Sequence, residues 1–147
     1  YIAKKEIQKV PFLSVWMQYL YCLFLDRENA KEGLKTILKA IEYVKNGISI
    51  FIFPEGTRNK GEELSLLPFK DGAFRIATKT GCPIVPVSLN NTADILENHF
   101  PRIKKTHVVI EYGKPIYPNE LDAETKKHIG AYVQNIVQET INKNAEI

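Results

Sequence analysis

The sequence predicts an α/β fold, with a mixed, mostly parallel sheet flanked by helices. Three observations carry that expectation. Apolar runs of strand length alternate with segments whose apolar residues recur at helical spacing. One of those helical segments lies between two such runs, and a strand–helix–strand unit favours a parallel pair. The chain has 147 residues, 44% of them hydrophobic and 25% charged, which suits one globular domain over residues 1–147 with a sizeable core. The formal net charge of +3 is a mild excess. It suits an anionic ligand or an acidic membrane surface. It falls short of the basic stripe of a nucleic-acid binder, so no nucleic-acid partner is expected.

The elements follow in order. Tyr1-Ile2-Ala3 reads as the tail of a strand, followed by Lys4, Lys5 and Lys9 interleaved with Ile7 and Val10. The run from Pro11 to Leu25 is rich in aromatics but broken by Ser14 and Gln18, and is too short for a membrane span of roughly 20 residues. A short helix and then a strand over Tyr21 to Leu25 are expected there. The run packs into the core or, alternatively, rests as an aromatic, lysine-flanked surface on a membrane. Asp26 is placed to cap the next helix. In that helix Leu34, Ile37, Leu38, Ile41 and Val44 fall on one face, and Asn46-Gly47 ends it.

Ile48 to Ile52 is a short apolar run that reads as a buried strand, stopped by Pro54 and Gly56. A polar loop from Asn59 to Ser65 leads to a helix that opens at Lys70 to Phe74 and closes at Gly81. Pro83 to Leu89 is a strand interrupted by Pro86, and Thr106 to Glu111 alternates like another. Asp122 caps a last helix with Ile129, Val133, Ile136, Val137 and Ile141 on one face. Cys22 and Cys82 match no metal or CxxC pattern and read as reduced core residues of a cytosolic protein. The scattered His99, His107 and His128 suggest no metal site.

Chemistry gathers at two strand ends. Arg27 follows one and Arg58 the other, and open α/β sheets bind ligands beyond the carboxyl ends of their strands. Arginine grips a phosphate with two parallel hydrogen bonds, and Lys70 stands nearby as a point charge at a helix start. Neighbouring strands would turn both guanidinium groups towards one anion. The plainer readings are a Pro-Gly turn with a solvated ion pair, and a surface pair of Arg27 with Glu28 or Asp26.

The chain resembles the glycerophospholipid acyltransferase family. Phe53-Pro54-Glu55-Gly56-Thr57-Arg58 matches that family's third motif, and Leu66 to Lys70 with Gly72-Ala73-Phe74 matches the segment after it. Ile84-Val85-Pro86-Val87 matches the fourth motif and Phe24-Leu25-Asp26-Arg27 the second; Ala3 to Glu6 with Pro11-Phe12 resembles the stretch before it. The resemblance covers nearly the whole chain. It implies a glycerol-3-phosphate acyltransferase-like fold and acyl transfer from acyl-CoA or acyl-carrier protein to lysophosphatidic acid, with no cofactor and no metal. It implies Arg27 and Arg58 as phosphate ligands, with Glu55, Gly56, Thr57 and Lys70 completing the acceptor site. Pro86 and Val87 would support the acyl-donor side.

One departure is large. The family's first motif, His-x-x-x-x-Asp, supplies the general base and its orienting carboxylate. None of the three histidines here has an aspartate five positions on, and Asn98-His99 falls after the fourth motif. The resemblance puts the first motif shortly before the residues matched by Tyr1 to Ala3. The expectation is therefore a chain truncated at its N-terminus with no catalytic residue of its own, from a protein at the cytoplasmic face of a membrane, peripheral or anchored by a preceding segment. A smaller departure is Tyr21, where the family often has a small residue. Two other readings stand beside this one: acyl transfer to glycerol-3-phosphate or another lysolipid, and a phospholipid-binding module without catalysis.

Overall fold

The computed structural model describes residues 1–26, 29–61 and 64–147. The protein is α/β, as expected, and forms two compact units whose segments interleave along the chain. Unit 1 comprises Tyr1–Thr57 and Lys70–Cys82; unit 2 comprises Arg58–Phe69 and Pro83–Ile147.

Unit 1 is built on a parallel pair, β1 (Ile2–Lys4) and β2 (Leu23–Leu25), in register Ile2–Leu23 to Lys4–Leu25. Between them a 3-10 turn, Lys5–Lys9, leads into the short helix α1 (Leu13–Tyr19). The unit's two longer helices, α2 (Ala30–Lys45) and α3 (Asp71–Thr80), pack on one another, and α2 also packs on β2.

Asn29 caps α2, its side chain accepting from the amides of Lys31 and Glu32 at 3.1 and 3.2 Å. The expected cap, Asp26, stands three residues before it. It accepts from the Asn29 amide and pairs with Lys5 at 3.0 Å. The inward face of α2 is the expected one only in part, with Ile37, Ile41 and Val44 half-buried. Ala40 is fully buried, whereas Leu34 and Leu38 are exposed. Small residues explain the difference: a Cβ on Gly33 would lie 3.6 Å from both the Asp26 carbonyl and Leu25, so β2 lies close against that side of α2. At the far ends, Gly47 and Gly81 take φ of 82° and 73°, the left-handed stop expected of each.

The expected strand over residues 48–53 forms no ladder among the described residues. It is held at one point, where the Ile2 amide donates to the Phe51 carbonyl at 3.0 Å, and by the Phe51 ring between those of Tyr1 and Phe53. A three-residue β1 offers too short an edge for a longer pairing.

Unit 2 carries an antiparallel pair, β3 (Val87–Asn90) with β4 (Val109–Tyr112), extended by a bridge between Ile84 and Ile116. Asp122 caps a short helix, α4 (Ala123–Lys127), through the amides of Glu124 and Thr125. The backbone breaks at His128, and the principal helix α5 (Ile129–Asn144) follows, so the expected last helix is two. Ile129, Val133, Val137 and Ile141 are buried on α5 as expected, against β3. The inward residues of β3 are polar, however. Asn90 donates to the Ile141 carbonyl at 2.9 Å, and Asn144 reaches the Ser88 hydroxyl at 3.5 Å. Both thiols are free; Cys22 is buried and Cys82 half-buried.

Two predictions follow from the caps. Asn29→Ala lowers stability by about 0.5–2 kcal/mol, read as a shift in the urea midpoint at constant slope. Asp122 is held below the ordinary aspartate range, first by the Thr125 hydroxyl and then by backbone amides. A lowered folded value stabilises above the unfolded one, so this contribution is present at neutral pH and disappears as pH falls through the lowered value. Asp122→Ala should flatten that part of an acid-unfolding curve, and an unchanged curve would remove Asp122 from the acid response.

Candidate acceptor-binding site

The motif residues divide between the units. In unit 1, Pro54 and Glu55 form the middle of a tight turn closed by the Gly56 amide donating to the Phe53 carbonyl at 3.1 Å. Proline at the second position and glycine at the fourth are the residues such a turn favours. The Lys70 amide donates to the Pro54 carbonyl at 2.9 Å and fixes the start of α3 against the turn.

The Lys70 side chain then lies across Gly56. A methyl group there would stand 3.1 Å from Nζ and 3.2 Å from Cδ and Cε. Gly56 has φ of 70°, so both its backbone and its lack of a side chain are used. Glu55 is half-buried and Thr57 exposed. Lys70 is itself the residue preceding α3, whose first turn receives no side-chain cap, so amides and an ammonium group converge at the turn.

Arg58 belongs to unit 2. Its side chain is 78% exposed, and Nη1 lies 3.8 Å from Glu97 Oε1. A loose, exposed pair of this kind contributes little and is readily exchanged for another anion. The loop after it is held at its base: Asn59 donates to the Ser65 carbonyl and accepts from the Gly61 amide at 2.8 Å. On the far side Gln138 and Gln134 of α5 accept from the amides of Leu66 and Phe69, at 3.2 and 3.0 Å. Neither glutamine was singled out in the sequence, since only their spacing of four on a helix marks them.

Pro86 is buried, and its carbonyl accepts from the Gly113 amide at 2.8 Å; Val87 is half-buried and opens β3 opposite Tyr112. Pro86 thus supports backbone and does not present a surface. Arg27 lies outside the described residues. Next to it in sequence, unit 1 has a pocket of about 290 Å³ lined by Lys5, Cys22, Phe24, Asp26, Glu32 and Thr36. Asp26 holds the Lys5 ammonium above its ordinary value, chiefly through their hydrogen bond. That pair joins the ends of β1 and β2, and no spacing rule in the sequence announced it.

Two histidines sit beside carboxylates. His99 Nε2 lies 4.0 Å from Asp94 and His128 Nε2 3.4 Å from Glu124. Asp94 and His99 lie in two successive short 3-10 turns of unit 2, and the His128 pair is an exposed helix pair. Among the described residues no group of three metal-ligating side chains forms. The arrangement in unit 1 can hold an anion. It contains no histidine and hence no imidazole base.

The acyltransferase family, so described, matches residues 1–90. The 1-acyl-sn-glycerol-3-phosphate acyltransferase of Saccharomyces cerevisiae is 36% identical over 99% of this chain and 47% of its own length. The protein of the same name in Escherichia coli is 31% identical over 95% of this chain and 56% of its own. Among solved structures, the 1-acyl-sn-glycerophosphate acyltransferase of Thermotoga maritima superposes with a TM-score of 0.80 at 29% identity, covering 98% of this chain and 56% of that one. The chain spans about half the length of the curated relatives it matches.

Gly56→Ala forces a side chain into the left-handed region and costs about 1–2 kcal/mol. The flexible Lys70 can swing aside, so the loss comes from the backbone. Gly56→Asn, which tolerates that region better, should recover part of it in the same denaturant titration.

Proposed function

The chain belongs to the acyltransferase family, and from that premise we propose that its protein is a 1-acylglycerol-3-phosphate O-acyltransferase. The free hydroxyl of lysophosphatidic acid attacks the carbonyl of an acyl thioester. The ester bond forms, the thioester bond breaks, and the hydroxyl proton leaves through a base to the departing thiol. The products are phosphatidic acid and free CoA or acyl-carrier protein thiol.

One observation supports the acceptor half of this reading above the others: the Pro54–Gly56 turn, pinned to the start of α3 with Lys70 lying over a bare glycine. A phosphate suits a point cation beside uncapped helix amides. By the resemblance in sequence, Arg58 and Arg27 are the phosphate ligands of this reading. Glu55 orients the glycerol, and Thr57 completes the turn's polar edge. Pro86 and Val87 act on the donor side only through the backbone they support.

In this reading the lipid acceptor and product call for a membrane surface. Transfer to glycerol-3-phosphate or another lysolipid uses the same phosphate contacts, and a panel of acceptors separates these. Thiol release from acyl-CoA by the full-length protein, dependent on lysophosphatidic acid, is the direct test. A folded protein releasing no thiol with any lysophospholipid, from either donor, would sink the enzymatic reading and leave a phospholipid-binding module.

Arg58→Ala is expected to raise the acceptor KM by roughly 10- to 150-fold, the equivalent of a charge-assisted contact of about 1.5–3 kcal/mol. Arg58→Lys should restore only part, because an ammonium group lacks the bidentate fork. Unchanged acceptor kinetics in Arg58→Ala would remove it from the phosphate site.

A further inference from the structure

The run from Pro11 to Leu25 carries two readings, core packing or a membrane-resting surface, and its helix lies outside the core. Helix α1 contains no buried residue. Phe12 is 85% exposed, Trp16 71% and Tyr19 81%, with Leu13 and Leu20 also exposed beside them. Trp16, Tyr19 and Leu20 fall at i, i+3 and i+4 and so share one face, with Phe12 in the turn that enters the helix. Ser14 and Met17 occupy another face and are the helix's only half-buried residues.

Leaving so large an aromatic face in water is costly, and contiguous exposed patches of this kind mark interaction surfaces. The backbone holds it out. Phe12 has φ 62° and ψ −49°, and the Leu13 amide donates across it to the Pro11 carbonyl at 2.7 Å. That is a γ-turn of the rarer, strained hand. Tyr21, just past the helix, has φ of 55°. Left-handed backbone at aromatic residues costs free energy at both ends of α1.

The chemistry of the face selects its occupant. No charged residue occurs between Val10 and Leu25, so the helix offers a protein partner no ion pair. Trp and Tyr combine an apolar body with a polar tip and favour the bilayer interface. The 3-10 turn and strand leading into α1 carry Lys4, Lys5 and Lys9 against one acid, Glu6. Lys5 is committed to Asp26, while Lys4 and Lys9 form no ion pair among the described residues.

We propose that α1 and its two bracketing turns form a docking surface for an anionic lipid bilayer. The rings of Phe12, Trp16 and Tyr19 enter the headgroup region, and Lys4 and Lys9 supply attraction to lipid charge. The surface deepens the membrane part of the reading above, and vesicle binding does not depend on that reading's chemistry. Its failure and the failure of acyl transfer are therefore separate results.

Trp16 is the single tryptophan of the chain and reports on the face directly. With vesicles of phosphatidylcholine mixed with phosphatidylglycerol, its emission should move to the blue and be quenched by bromine-labelled acyl chains. Pure phosphatidylcholine should bind more weakly, and added salt should weaken the anionic case. Phe12→Ser combined with Tyr19→Ser should reduce affinity at least roughly tenfold, with Lys4→Glu and Lys9→Glu lowering it on anionic vesicles only. If the double variant misfolds by circular dichroism, quenching of Trp16 in the unsubstituted chain carries the test.

Three results would overturn the proposal. The vesicles may take up no chain, or take it up with Trp16 unshifted and unquenched. In the third, the blue shift grows with protein concentration in the absence of lipid and sedimentation shows a dimer, which assigns the face to a second copy.

Discussion

The bond from the Lys70 amide to the Pro54 carbonyl is the constraint on which unit 1 and its motif residues depend. The chain leaves unit 1 after Thr57 and returns at Lys70. One backbone hydrogen bond joins those two points and sets α3 at the turn. Its net contribution is about 1 kcal/mol, so its importance is geometric. Without it the Gly56 turn, the Lys70 side chain and the first amides of α3 would be independent features. With it they stand together at the start of α3.

The helices were legible because their signals are local. Apolar spacing on α5 and the glycine stops of α2 and α3 depend on residues within a few positions of one another. Errors arose where a partner far along the chain decided the outcome. Asn29, nearer the helix start, caps α2, and Asp26 pairs instead with Lys5, which lies 21 positions away. The residues 48–53 look like a strand, but strand pairing needs an edge, and β1 provides three residues. The inward face of α2 is led by Gly33 and Ala40, which a hydrophobic pattern does not count as core. Polar Ser88 and Asn90 face inward where α5 brings Asn144 and the Ile141 carbonyl to meet them.

The site was legible in another way. Composition and spacing suggested only a turn able to hold an anion, and resemblance supplied the identity of its residues. Neither revealed that Arg58 has a carboxylate, Glu97, within reach 39 positions later, or that Pro86 is buried behind a backbone contact with Gly113. The aromatic run before β2 was ambiguous for a physical reason. The same residue types fill cores and bilayer interfaces, and only exposure separates the two.

The interleaving of the two units bears on how the chain is made. On the ribosome, α2 emerges with much of its apolar surface unmet, because its partner α3 is encoded after residues 58–69 of the other unit. Unit 1 must wait, partly assembled, while that insertion is translated, and only the arrival of residues 70–82 lets it close. Nascent α2 is thus exposed to misassociation for the time taken to add the 37 residues from Asn46 to Cys82, on the order of a few seconds at cellular elongation rates. A chaperone or a nearby lipid surface would find its opportunity in that interval.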